Sequence, residues 1–187
     1  EYTDLRRKAA ADDPTELYAT EFVLKLLKKR LFSSPTAFAT TLEQHQKSLQ
    51  SAKRRSTSRI AKPTVGILRR QVEQIEEEFA DDGLYEESTE DAIANTSLLF
   101  REVTPEEQAL LREMQAWADV AVKRADSKAK ELLNWIKQYI QPDGQWSNER
   151  VLIFTEYRAT QKWLYDLLAT EGLVAGDRLM TLYGGMD

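Results

Sequence analysis

The residues with the clearest chemical potential are basic side chains concentrated in one stretch of the chain. Residues 25–62 hold ten lysines and arginines against a single acid, Glu43, although the chain of 187 residues has a net charge of −5. Lys53, Arg54 and Arg55 are consecutive, and such a cluster gains affinity for nucleic-acid phosphates by releasing condensed counterions. The stretch is therefore a candidate nucleic-acid contact; the alternative is a solvated charged face without a ligand.

Carboxylates form a second block directly after the basic one. Residues 73–91 hold ten acids and no basic residue. Few large apolar side chains interrupt the block, and it contains Asp81-Asp82-Gly83. This composition predicts an acidic loop near residues 77–103 rather than a packed element.

Residues for nucleophilic, metal or nucleotide chemistry are scarce. The chain has no cysteine, and its single histidine, His45, falls on an apolar helical stripe that is typical of a core histidine. None of the seven glycines is followed by Lys and then Ser or Thr, so the sequence has no phosphate-binding P-loop. We expect no catalytic residue, no metal site and no ATP hydrolysis from this chain alone.

The sequence offers no membrane or export signal. It has no apolar run of roughly 18 residues and no signal-peptide pattern. We therefore expect a cytoplasmic protein without a membrane partner. Because the chain starts at Glu1 rather than Met, we also expect a fragment of a longer protein.

Apolar residues at helical spacing predict that residues 1–145 are mainly helical. At Asp13 and Ser34 a capping side chain is followed directly by proline, which marks the start of a helix. A third predicted helix over residues 64–79 carries apolar residues three and four apart. That seam can pair with another helix of this chain or with a partner, including a second copy.

Another helical region begins with the capping box at Thr104 and reaches about residue 140. It is either one long helix or two helices that meet near Asp126 and Ser127. The capping preference of Asp and Ser favours the break.

The pattern changes in residues 146–187. Residues 151–155 are a continuous apolar, β-prone run, residues 159–171 form an amphipathic helix, and residues 178–183 form a second β-prone run. This order predicts a βαβ unit with parallel strands and a right-handed crossover. Since two parallel strands do not make a stable sheet, we expect an incomplete sheet.

The same region resembles a known family. The run Val-Leu-Ile-Phe-Thr-Glu-Tyr-Arg at residues 151–158, with Leu-Tyr-Gly-Gly-Met at residues 182–186, resembles the opening of the second RecA-like lobe of superfamily 2 helicases, most closely the Swi/Snf-type branch. Asp126-Ser127-Lys128 resembles the helix that leads into this lobe. Residues 29–38 resemble the helical segment that joins the two lobes in bacterial members.

The resemblance implies a mainly α fold with a short C-terminal α/β piece of an incomplete RecA-like lobe. Residues 1–145 would be the inter-lobe helical region, and residues 146–187 would begin the second lobe. The parent protein would bind ATP and Mg²⁺ between its lobes and move along nucleic acid, most simply double-stranded DNA. The motifs for ATP lie outside this chain, so we expect neither ligand bound to it.

The resemblance also implies nucleic-acid contacts at Thr155, Arg158, Gly184 and Gly185, which match positions near the backbone of the tracked strand. Thr155 offers a hydroxyl, Arg158 a charge, and the glycine pair a close backbone approach. The glycines are equally compatible with a simple turn, and Glu156 is better suited to capping the following helix than to facing a phosphate. A competing hypothesis is a helical protein–protein interaction module without a nucleic-acid function.

Overall fold

The computed structural model describes residues 1–55, 65–76 and 82–184, and these residues form eight α-helices. The prediction of a mainly helical chain is confirmed. The helices are α1 (Tyr2–Ala10), α2 (Pro14–Ser33), α3 (Pro35–Arg55), α4 (Val65–Glu76), α5 (Asp82–Ser97), α6 (Pro105–Ala121), α7 (Ser127–Trp135) and α8 (Arg158–Thr170). Helices α1 to α6 are called the helical body below, and residues 127–184 are called the C-terminal unit.

The predicted helix starts are confirmed in detail. The Asp13 carboxylate accepts hydrogen bonds from the backbone N–H groups of Thr15 and Glu16, at 2.9 and 3.2 Å. The Ser34 hydroxyl accepts one from the N–H of Ala37 at 3.1 Å. Both caps satisfy N–H groups that a helix leaves unpaired in its first turn.

The helical region from 105 to 140 consists of two helices, as the break at Asp126 predicted. Thr104 and Glu107 form the reciprocal capping box of α6. The Asp126 carboxylate accepts from the N–H of Ala129 at 2.8 Å and caps α7. Beyond α7 the chain widens into a π-helical turn, Ile136–Ile140, which the sequence pattern did not predict.

The core of the helical body lies where α1, α2, α3 and α6 meet. Leu42 is 0% exposed and Leu111 is 1% exposed. These residues come from the stripes that recur every three or four positions, so the helices bury the faces that their sequences mark. The buried apolar residues of this cluster are Tyr2, Val23, Leu24, Leu27, Phe38, Leu42, Leu49, Leu111 and Ala118.

A charged cluster lies inside the same body. The Arg6 guanidinium is 3.2 Å from the Glu107 carboxylate and 3.9 Å from the Glu16 carboxylate, and all three residues are 3% exposed or less. Arg101 holds Glu16 from the other side through its backbone N–H and its side chain, each at 2.9 Å. The cluster thereby ties residues 6–16 to residues 101–107, because a buried charge needs a partner.

His45 is a core residue, as its position on the apolar stripe predicted. Its Nε2 lies 2.7 Å from the Tyr2 hydroxyl, and the ring is 1% exposed. Burial, with the nearby positive charge of Arg6, lowers the pKa of His45 to about 3. The imidazole is therefore neutral at ordinary pH and shares this hydrogen bond with the Tyr2 hydroxyl, whose own pKa is raised by burial; which of the two groups donates depends on the tautomer of the imidazole.

The predicted acidic loop near residues 77–103 is wrong for most of its length, because Asp82–Ser97 forms helix α5. The helix buries Thr89, Ala92, Ile93 and Thr96, spaced as i, i+3, i+4 and i+7. Both threonine hydroxyls donate to carbonyls one turn earlier, at 2.8 and 2.7 Å. The buried stripe is real but consists of small and hydroxylated residues, so a count of large apolar side chains misses it.

Helix α4 occupies the part of the predicted 64–79 helix that the structure describes. Leu68 is 1% exposed and packs with Ala19 and Leu99, whereas Ile67 is 52% exposed. Leu68 of the predicted seam is therefore used inside this chain. The rest of the predicted helix, residues 64 and 77–79, lies outside the described residues.

The C-terminal unit has a second, smaller core between α7, the π-helical turn and α8. Its buried apolar residues are Leu133, Ile136, Ile140, Leu168 and Leu173. Helix α8 ends as Gly172 predicted: the glycine has φ of +74°, and the N–H of Leu173 donates to the Leu168 carbonyl at 2.9 Å. This is a Schellman motif, for which glycine is the favoured residue.

The predicted βαβ piece is not seen. Helix α8 forms, but within the described part of the chain neither residues 151–155 nor residues 178–183 belong to a strand. Leu152 is 81% exposed and Phe154 is 89% exposed. A pair of parallel strands requires further strands beside it and cover on both faces, and the described residues supply neither.

Candidate functional site: a junction between the helical body and the C-terminal unit

The start of α8 is attached to the corner between α2 and α3. The Thr160 hydroxyl lies 2.7 Å from the Ser33 hydroxyl and 2.8 Å from the Ser34 hydroxyl. Ser34 is fully buried and Thr160 is 7% exposed, so these hydrogen bonds are shielded from water. Together with the contacts below, they define a site that we call the junction.

Lys128 fixes the α6–α7 connection to the same corner. Its ammonium group donates to the carbonyl of Phe32 and, at 3.0 Å, to the carbonyl of Ser33. These carbonyls end α2 and carry the partial negative charge of its C-terminus, which favours a cation there. Trp163 of α8 adds a hydrogen bond of 3.2 Å to the Val122 carbonyl.

Arg30 is the centre of the aromatic part of the junction. Its guanidinium lies 3.8 Å from the centroid of the Tyr157 ring and 5.8 Å from that of Tyr85. The side chain is 5% exposed, and its Nε has no hydrogen-bond partner. A desolvated guanidinium stacked on an aromatic face is held by cation–π attraction, so the two rings replace part of its hydration.

Glu156 links the aromatic part to the basic stretch. Its carboxylate accepts from the Tyr157 hydroxyl at 2.9 Å and lies 3.9 Å from the Lys29 ammonium. Burial, followed by this hydrogen bond to Glu156, raises the pKa of Tyr157 well above its usual range. The expectation that Glu156 caps α8 is wrong, since the N-cap is Tyr157 and no side chain caps the helix.

Three of the residues predicted to contact nucleic acid lie beside the junction. The Arg158 guanidinium is 3.3 Å from the centroid of the Tyr183 ring, which places Gly184 next to the start of α8. Gln161 donates to the Leu182 carbonyl at 2.8 Å and holds the same segment. Thr155 is exposed, with its hydroxyl 3.5 Å from the Tyr157 carbonyl. Gly185 lies outside the described residues.

Lys53, Arg54 and Arg55 are not brought to this site. They end α3, whose first residue, Pro35, lies at the junction. Twenty residues of α-helix separate the two ends by about 30 Å. The side chains of the three basic residues lie outside the described part of the structure, so only their position along the helix is assigned.

Sequence reasoning missed most residues that build the junction. Ser33, Ser34 and Thr160 are ordinary hydroxyl residues on helix ends, and their pairing spans more than 120 positions. Arg30 and Tyr85 are likewise far apart. The partners of buried hydroxyl and guanidinium groups can be assigned only from the packing of the helices.

The described residues hold no group of three or more histidine, cysteine or acidic side chains arranged for a metal ion. No helix in the described ranges is long and apolar enough to cross a membrane. No protein-family model, curated protein or solved structure matches the chain. The geometry of the chain and its sequence resemblance are therefore the basis for assigning a function.

Proposed function

We propose that this chain is the inter-lobe helical region and the leading part of the second RecA-like lobe of an ATP-dependent nucleic-acid translocase of Swi/Snf type. The main support for this proposal is the set of contacts at the junction. Three of the four stretches that resemble this family, at residues 29–38, 126–128 and 151–160, are separate in sequence but meet there through Lys128, Thr160 and the Arg30–Tyr157 stack. These contacts would hold the second lobe in a fixed position on the helical region.

The two β-prone runs fit the same proposal. Residues 151–155 and 178–183 flank α8 in the order that a βαβ unit needs, and Gln161 already ties α8 to the second run. Their exposed apolar side chains would be buried on both faces once neighbouring strands and helices are present. In this proposal the runs become parallel strands only in the complete lobe.

The proposed phosphate contact is at the start of α8. This helix has no acidic residue in its first turn and no side-chain cap, so its leading N–H groups are compatible with an anion. Arg158 adds a positive charge, exposed Thr155 adds a hydroxyl, and Gly184 permits close backbone approach. Gly185 completes the proposed set by sequence.

The basic end of α3 supplies a second proposed contact. The separation of about 30 Å between the two ends of α3 equals about nine base pairs of duplex, at about 3.4 Å per base pair. Lys53, Arg54 and Arg55 would then contact the backbone nearly one helical turn from Arg158. This spacing is compatible with a double-stranded partner, most simply DNA.

ATP and Mg²⁺ would bind to parts of the parent protein outside this chain. The sequence holds no P-loop, and the described residues hold no carboxylate cluster suited to Mg²⁺. The residues present do not fit a nucleotide site, so no hydrolytic step is assigned to them.

The test is duplex binding by fluorescence anisotropy, with a labelled duplex of about 25 base pairs at about 50 and 200 mM salt. We expect low-salt binding that weakens with added salt. Substitution of Lys53, Arg54 and Arg55 by Ala should reduce the slope of log affinity against log salt by about 2.7, and Arg158→Ala by about 0.9. Reversal of the three basic residues to Glu should abolish binding.

Lys130→Ala is the matched control, because Lys130 is an exposed lysine on α7. The control should bind like the unmodified chain. Binding that ignores salt, or that is unchanged by all the substitutions at the two proposed contacts, would refute the nucleic-acid function and leave the helical interaction module as the better hypothesis.

A further inference from the structure

Residues 150–156 form an open stretch of chain before α8, and their side chains alternate in exposure. Leu152 and Phe154 are 81% and 89% exposed, whereas Val151 and Ile153 are both 38% exposed. A period of two is the arrangement of a β-strand with one open face. Within the described part of the chain, no backbone–backbone hydrogen bond involves residues 150–156. The stretch therefore resembles the unpaired edge of a sheet, which is a template for another strand.

The open face carries opposite charges at its two ends. At every second position, its residues are Arg150, Leu152, Phe154 and Glu156. Arg150 is exposed and belongs to none of the ion pairs among the described residues. Glu156 is 60% exposed, and its contacts with Tyr157 and Lys29 both use Oε1. Its Oε2 can therefore receive a further cation.

This order of side chains is complementary to itself when two copies run antiparallel. A two-fold axis at Ile153, normal to the paired strands, places Leu152 opposite the partner's Phe154 and Arg150 opposite the partner's Glu156. Directly opposite residues of an antiparallel pair share a face, with Cβ atoms about 4.5–5.5 Å apart. A register shifted by two residues puts Arg150 opposite Phe154, or Leu152 opposite Glu156, and loses both ion pairs. The charges thus select one register.

The second exposed run lacks this self-complementarity. Met180 and Leu182 are 75% and 73% exposed, but their face continues to Arg178 at one end and to Gly184 at the other. Antiparallel pairing of that run would leave both arginines without an opposite acid. The charge pattern therefore distinguishes residues 150–156 as the edge that fits a second copy.

We propose that two copies of this chain associate through residues 150–156, which pair as antiparallel strands about a two-fold axis at Ile153. The backbone groups of each copy satisfy those of the other, and two Leu152–Phe154 pairs cover the open apolar face. Two Arg150–Glu156 ion pairs set the direction and the register. The inference does not rest on the proposed nucleic-acid function, since the strands of a complete lobe would compete for the same backbone groups.

The dimer is expected to be weak, because two strands alone make only a marginal sheet. We expect it above about 10 µM and the monomer in more dilute solution. Unfolding measured on the dilute chain therefore reports on the monomer.

Charge reversal tests the pairing by sedimentation equilibrium of the full chain at about 5–500 µM. Arg150→Glu and Glu156→Arg each create two like-charge pairs in the homodimer and should raise its Kd at least about tenfold. An equimolar mixture of the two variants restores both ion pairs with the signs exchanged. The mixture should therefore dimerise about as tightly as the unmodified chain, which a variant that had merely lost its fold would not do.

A matched pair of leucines tests the apolar face. Leu152→Lys should raise the Kd at least about tenfold, because each of its two copies brings a charge opposite Phe154. Leu182→Lys is the control, since Leu182 is similarly exposed but lies in the second run. Thermal melts of dilute samples by circular dichroism establish that both variants are folded.

Cysteine cross-linking tests the register, because the chain has no cysteine of its own. Ile153→Cys places two thiols opposite each other at the axis, with Cα atoms about 4.5–5.5 Å apart, which a disulfide can bridge. Thr155→Cys is the control, because its two copies lie four residues apart along the pair, about 14 Å, and cannot be bridged. Under mild oxidation only the first variant should give a covalent dimer.

Four results would each overturn the proposal. They are a chain that stays monomeric at about 500 µM, a mixture of charge variants that does not dimerise, equal dimerisation of Leu152→Lys and Leu182→Lys, and equal cross-linking of the two cysteine variants. The last result would mean a parallel or unspecific association instead of the antiparallel pair.

Discussion

The core of the helical body and residues 151–154 of the C-terminal unit differ in how far their apolar side chains are buried. In the body, Leu42 is completely buried, whereas Leu152 in the C-terminal unit is 81% exposed. A helix satisfies its backbone hydrogen bonds internally and needs only one stripe covered, so six helices can complete a core locally. A strand needs neighbours for its backbone and cover for both faces, and this dependence on distant segments explains the open side chains of residues 151–154.

The largest expected effect comes from the buried charges of the helical body. Replacing Arg6 with Met leaves Glu107 and Glu16 buried near one another without their shared cation. We expect a loss of about 3–5 kcal/mol in the free energy of unfolding, measured by urea denaturation. Arg7→Met is the matched control, because Arg7 is an exposed arginine of the same helix, and its unfolding midpoint should barely change. Equal midpoints for the two variants would contradict the role assigned to Arg6.

The comparison between the two regions can be tested with one substitution made twice. Leu42→Ala removes a side chain from the packed core and should cost about 2–5 kcal/mol. Leu152→Ala removes the same atoms from an exposed position and should change stability by about 0.5 kcal/mol or less. A large loss of stability in Leu152→Ala would show that residues 151–154 are packed in solution, and it would contradict the difference in burial between Leu42 and Leu152.

A smaller effect is the pH dependence of the free energy of unfolding, to which the helical body contributes through His45. The pKa of His45 falls from its ordinary 6.5 to about 3 in the folded chain, mainly through burial. Below pH 6.5 the unfolded chain binds a proton that the folded chain does not, so stability is complete above that pH and declines as pH falls toward 3. Between about pH 7 and pH 5 we expect this residue to contribute a loss of about 2 kcal/mol.

The measurement is urea unfolding of the unmodified chain and of His45→Gln at both pH values. Glutamine retains an acceptor for the Tyr2 hydroxyl but does not titrate, so the variant should lose about 2 kcal/mol less on acidification. Tyr2, which is hydrogen-bonded to the imidazole, keeps its charge state in this range because burial raises its pKa. Identical pH dependence in both proteins would place His45 outside the titrating groups.

Local chemistry explains which elements were predictable. The starts of α2, α3, α6 and α7 follow from Asp13, Ser34, Thr104 and Asp126, because a cap acts on N–H groups within three residues of itself. The end of α8 follows from Gly172, because glycine adopts the positive φ that closes the last helical turn without steric strain. In each case the interaction lies within one helical turn.

The failures have a different cause. Helix α5 was predicted as a loop because its buried stripe of Thr89, Ala92, Ile93 and Thr96 has a clear period but little apolar bulk. The βαβ prediction identified segments with strand composition, but composition does not supply neighbouring strands. Helix α8 forms as predicted, because a helix makes its backbone hydrogen bonds internally and does not need neighbouring strands.

The starts of α2, α3, α6 and α7, the end of α8 and the buried apolar stripes of the first three of these helices follow from sequence alone, since caps, proline positions and apolar spacing act over a few residues. Tertiary structure alone decided that Ser33 and Ser34 meet Thr160, that Arg30 lies against Tyr157, and that Arg6 joins Glu107. These contacts join residues about 100 or more positions apart. Their hydrogen bonds and ion pairs are stronger where water is excluded, and they offset the cost of burying the polar groups. That exclusion depends on every surrounding helix, so no short segment of sequence encodes it.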